Sequence, residues 1–172
     1  MLGDLTEKIK GSQSKLEQLI SKIPGYAGYK QKEQRREADK LLRLHVARQY
    51  EAQLVRLNNT QMTLTTRGRL SSIVTLERAV MKLQLLIDRL KTASYGYTGL
   101  FDAVRVNEEA LDKLYEFDQA MLAGVDELAA LLTKLDEAAQ AEASTAAEAN
   151  DLIIKLEQLN TTFSQRQDVI LE

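Results

Sequence analysis

The chain has 172 residues, with 23 Lys+Arg against 25 Asp+Glu, one histidine and no cysteine. The missing cysteines exclude disulfides, thiol catalysis and thiolate metal sites. A lone His45 cannot supply the paired Glu-x-x-His ligands of a di-metal helical bundle. Eight glycines and one proline, Pro24, leave few breakers, so the elements are predicted to be few and long.

In residues 1–23, Leu2, Leu5, Ile9, Leu16, Leu19 and Ile23 recur at three- and four-residue spacing, with Ser12 in the polar slot. This predicts a short amphipathic helix. It ends at Pro24, since proline turns the preceding residue away from helical angles. From Lys30 to Thr66 no Gly or Pro intervenes. Ala38, Leu41, Leu42, His45, Val46, Tyr50, Leu54, Leu57 and Leu64 form one apolar band there. Gly68 is the predicted reversal. Ile73, Leu76, Val80, Leu83, Ile87 and Leu90 then make an unbroken heptad seam.

Asn107 is the predicted N-cap of the next helix, because Glu108 and Glu109 follow where the helix dipole favours acids. Its seam runs through Leu111, Leu114, Met121, Val125, Leu128, Leu132 and Leu135, with Asp118 as a polar intruder expected either to specify register or to pair with an arginine, one of the Lys32–Arg43 stripe being a candidate. Residues 137–150 hold almost no large apolar side chain and fit either continuous helix or a loop, with caps at Ser144–Thr145 or Asn150–Asp151. Leu152, Leu156, Leu159, Phe163 and Ile170 define a final helix, and Arg166 occupies a seam slot between the last two. No segment alternates as a strand does. The expected fold is all-α, an elongated up-down bundle of four or five long helices with coiled-coil-like seams. Residues 1–23 form its appended helix and residues 24–172 its single domain.

Two short interruptions concentrate the aromatic residues. PGYAGY at 24–29 and YGYTGLF at 95–101 contain Tyr26, Tyr29, Tyr95, Tyr97 and Phe101, five of nine Tyr and Phe. In an up-down bundle both islands fall at one end, where the rings either plug the core or form a partner-binding surface. GYAG and GYTG, with EADKL at 37–41 and EALDKL at 109–114, hint at duplicated hairpins, 24–94 and 95–172.

Charge divides along the same boundary. Residues 1–95 carry 18 basic and 9 acidic side chains, net +9, while 96–172 carry 5 and 16, net −11. Lys32, Arg36, Lys40 and Arg43 share a helical stripe. They suit either an anionic partner or pairing with acids at the start of helix 107–138. Overall acidity disfavours nucleic acid.

Catalytic chemistry finds no footing. No phosphate-binding glycine loop and no Ser/His/Asp set can be assembled, and His45 sits where a core-edge residue belongs. No metal, cofactor or small-molecule substrate is expected.

The stretches PGYAGYKQKEQRREADKLLR and SYGYTGLFDAVRVNEEALDKLYEFD resemble a family of uncharacterised bacterial all-helical proteins. That likeness implies a helical fold and no established activity. A short amphipathic helix followed by hairpins is also similar, by analogy, to the phage-shock and ESCRT-type membrane-remodelling proteins. The expectation is a cytoplasmic bacterial scaffold or protein-interaction module, non-enzymatic, with self-association through its seams. The alternative is a peripheral membrane adaptor binding anionic lipid through residues 1–23 and the basic stripe.

Overall fold

The computed structural model describes residues 35–93 and 108–171, and they fold into helices joined by turns. The helices are α1 (Arg35–Thr66), α2 (Ile73–Thr92), α3 (Glu108–Gln140) and α4 (Ala146–Leu171). At 1.5 Å per residue α1 and α3 are each about 50 Å long. None of these helices is long and apolar enough to cross a membrane.

Two antiparallel hairpins, α1–α2 and α3–α4, lie side by side. The main contacts within them are α1 with α2 and α3 with α4; between them α1 meets α3 and α2 meets α4. The lateral pairs are parallel, because partners advance together along both helices. Arg56 reaches Ala129 and Asp136, and Arg67 reaches Ala139. Ser72 meets Thr145, and Arg89 meets Ser164.

Both hairpins stop their first helix in the same way. At the end of α1, Gly68 takes φ +69°, Gly68 N–H donates to Thr65 O at 3.0 Å, and Arg69 N–H donates to Leu64 O at 2.9 Å. This bonding pattern satisfies carbonyls that a helix end leaves orphaned, and it needs a left-handed residue. At the end of α3, Ala143 N–H donates to Ala138 O at 3.0 Å, and the left-handed residue is Glu142, at φ +56°. Residues 137–150 therefore contain both the last turn of α3 and the first of α4, separated by a turn at 141–145. The cap positions before α2 and α4 then meet: Thr145 and Ser72 join hydroxyl to hydroxyl at 2.9 Å, both buried. Each cap carbonyl accepts the first helical bond, from Leu76 and Ala149 respectively.

Among the described side chains, all four helices contribute to one core. Leu57 and Leu64 come from α1, Leu76, Leu83 and Leu86 from α2, Leu128, Leu132 and Leu135 from α3, and Leu152 and Leu156 from α4. Each such side chain contributes about 1.5–3 kcal/mol by leaving water. Burial on α2 is wider than its heptad seam. Ala79 and Leu86 are buried as fully as Leu76 and Leu83, whereas Ile73 and Val80 are only half-buried. α2 packs on α1 from one side and α4 from the other, so a single seam cannot describe its covered face.

Candidate interaction surface

The aromatic islands, Tyr26, Tyr29, Tyr95, Tyr97 and Phe101, lie outside the described residues, as do Lys32, Asn107 and residues 1–23. The helix ends flanking both islands, the starts of α1 and α3 and the end of α2, do lie at one end of the bundle. Arg36 lies on α1, and Lys40 is exposed. Arg43 departs from the expected stripe: it is buried, and its Nη1 donates to Leu90 O at 2.7 Å near the end of α2. There its charge meets carbonyls at the negative end of the helix dipole. His45 is half-buried, and burial together with the Arg48 charge lowers its pKa below the usual 6.5.

The two polar intruders in the α3 and α4 seams find each other. Arg166 Nε donates to Asp118 Oδ1 at 2.8 Å, with both side chains buried. Asp118 thus pairs with an arginine outside the Lys32–Arg43 stripe. Nearby, Tyr50 is wholly buried and its hydroxyl donates to Met121 O at 2.8 Å. Room for the ring comes from Gly124 on α3. A Cβ at that position would stand 2.6 Å from Tyr50 Oη and would also strike Leu159 Cδ2.

Arginines of the basic hairpin stitch it to the acidic one. Arg56 binds Asp136 at 3.1 Å, and Lys82 binds Glu157 at 2.9 Å. Arg89 donates to Asn160 O at 2.9 Å and Ser164 Oγ at 2.7 Å, with its guanidinium over the Phe163 ring. Arg67 and Arg69 donate to Ala139 O at 3.3 and 3.1 Å. α3 has no basic residue in its own last turn, so its dipole is met from the α1–α2 turn. Part of the charge asymmetry is therefore neutralised between the two hairpins.

A cleft of about 270 Å³ opens between α1 and α3, lined by Arg56, Asn59, Thr60, Thr63, Asp136 and Gln140 among others. Its charged groups satisfy each other: Arg56 pairs with Asp136, and the Thr60 hydroxyl lies against the same carboxylate. Such an arrangement braces two helices and poises neither a base nor a nucleophile. Among the described residues no group of three or more His, Asp or Glu is placed to hold a metal ion.

The outer face of α1–α2 differs from the rest of the described surface. Val55 and Met62 on α1, Leu70 in the turn, and Val74, Met81 and Leu85 on α2 are all more than half exposed. Among the described residues of the second hairpin, Ile154 alone is a large exposed apolar side chain. On α1, Val55 and Met62 stand seven residues apart. On α2, Val74, Met81 and Leu85 fall at i, i+7 and i+11, one stripe opposite the core-facing Leu76, Leu83 and Leu90. These residues lie off the seam, so heptad counting passes over them; counting surplus apolar residues on the far side of α2 would have found them.

No family model, curated protein or solved structure matches the chain.

Proposed function

We propose that the chain is a non-enzymatic scaffold that works through protein–protein contact. The observation that carries this reading is that, among the described residues, six of the seven large exposed apolar side chains lie on the outer face of one hairpin. Singly scattered apolar residues are ordinary on a protein surface, but a contiguous patch marks an interaction site. The charges around the face are close to balanced: Lys40, Arg48, Arg78 and Lys91 stand against Glu51, Glu77 and Asp88. That balance favours a protein partner over an anionic lipid surface, which needs a basic excess. Self-association and the coiled-coil character of the seams belong to the same reading.

A photo-crosslinking residue at Met81, introduced into the full chain in its native cell, tests the proposal. Adducts to protein, whether to copies of this chain or to others, are expected. Adducts to lipid alone would promote the membrane-adaptor alternative, and the absence of adducts would leave the face idle and sink the scaffold reading.

A further inference from the structure

We infer that the occupant of the outer α1–α2 face is a second copy of this chain, docked through the same face. The inference rests on the scaffold reading and adds the identity of the partner. Three observations support it: size, symmetry and charge.

A large aliphatic side chain carries on the order of 100 Å² of apolar surface. Six such residues, each more than half exposed, present roughly 400 Å² of apolar area on this face. With the polar helix surface around it, the face approaches the ~800 Å² per partner of a standard protein interface.

Closure by symmetry requires a patch that complements itself after a twofold rotation. The ion pair between Lys91 and Glu51 and the turn at 67–72 set the antiparallel register of the hairpin. Met81 then lies level with the stretch of α1 between Val55 and Met62. Val74 and Leu85 bracket Met81 on α2 as Val55 and Met62 bracket it from α1. A twofold axis lying in the plane of the face, level with Met81 and at right angles to the helices, therefore brings the apolar residues of each helix onto the same helix of the other copy. Two hairpins meeting face to face in this way stack as two helix pairs with Met81 against its counterpart, where unbranched thioether chains adapt to each other.

The four basic and three acidic residues of the face leave it with a net charge of +1. Two copies therefore repel far less than two acidic second hairpins would. Docking through α1–α2 also keeps the acidic α3–α4 hairpins outward, where their repulsion is screened by water and salt.

The test is sedimentation equilibrium of the purified full chain over roughly 1–100 μM, a range that brackets micromolar association. Wild type should be a reversible dimer. Met81→Glu, which places a charge at the centre of the apolar face, should raise the dissociation constant about a hundredfold or more. Helicity by circular dichroism should stay unchanged, because Met81 is exposed in the single chain. Ile154→Glu, on the other hairpin, should dimerise like wild type. A monomer at every concentration would overturn the inference, as would an Ile154→Glu effect as large as that of Met81→Glu. So would a purified monomer whose Met81 cross-links within its own chain to residues 1–23. If the purified chain is monomeric while cellular cross-links at Met81 join it to other proteins, the second-copy inference fails and the scaffold reading stands.

Discussion

Arg166 on α4 donates through Nε to Asp118 on α3, 2.8 Å away, and the two side chains retain 1% and 4% of their exposure. Both seams are broken once, and the breaks are at the same height. An ion pair this deep selects one alignment of α3 against α4, because sliding either helix would strand a charge in the core. Asp118→Ala alone should cost about 3–5 kcal/mol in urea denaturation. The double variant Asp118→Leu/Arg166→Met should recover most of that loss. A double variant as unstable as the single would show that the pair contributes net stability and not alignment alone.

Gly124 and Tyr50 form a second coupled pair. Gly124→Ala forces the ring or Leu159 aside and should destabilise by about 1–3 kcal/mol, as overpacking does. Removing the hydroxyl with Tyr50→Phe relieves one of the two clashes. The two changes combined should therefore cost less than the sum of the separate costs. Strict additivity in a double-mutant cycle would count against the contact.

At Glu142 the chain accepts a left-handed backbone without glycine, whereas Gly68 meets the same demand in the other turn. Such a conformation costs a residue with a side chain on the order of 1 kcal/mol. Glu142→Gly should thus raise stability by a few tenths to about 1 kcal/mol. Gly68→Ala should lower it by a similar amount.

Two buried groups predict how stability depends on pH. Burial, reinforced by the Glu127 charge, raises the Tyr50 pKa above its ordinary 10.0. The phenol is then easier to ionise in the unfolded chain, so its contribution is complete below pH 10 and is lost as pH rises beyond it. For His45 the shift is downward from 6.5, caused by burial and then Arg48. Its contribution is complete above pH 6.5 and declines below, as the unfolded state takes up the proton first. Wild type minus Tyr50→Phe should shrink at alkaline pH, and wild type minus His45→Leu should shrink at acid pH. Flat differences across both ranges would refute the assigned environments.

Much of this architecture was legible from spacing. Ser72 and Gly68 bracket a reversal that glycine announces, and Leu76, Leu83, Ile87 and Leu90 lie buried where the heptad puts them. Asp118 and Arg166 each stood out as polar residues in apolar slots. Their partnership did not, because 48 residues separate them and periodicity carries no information about which helices are neighbours. The turn at 141–145 was ambiguous for a different reason: its left-handed residue is glutamate, and the usual glycine signal is missing. Charge pattern places Arg43 in a stripe that suits an anionic partner or the acids of α3, because it does not reveal a buried carbonyl waiting for a donor. The outer apolar face was hidden by the seam beside it, since a heptad reading assigns each helix only one covered side.

The side-by-side placement of the hairpins also imposes an order on folding. Contacts within a hairpin close across a short turn, whereas the hydrogen bonds joining one hairpin to the other span 70 to 80 residues. Bringing together residues so distant costs loop entropy before any contact repays it. Each hairpin can collapse early by itself, but the polar stitches from Arg56, Arg67, Arg69 and Arg89 can form only when both are present and level. Docking of the hairpins is then expected to follow their closure. A chain emerging from the ribosome would hold a basic half-bundle until its acidic complement has been synthesised.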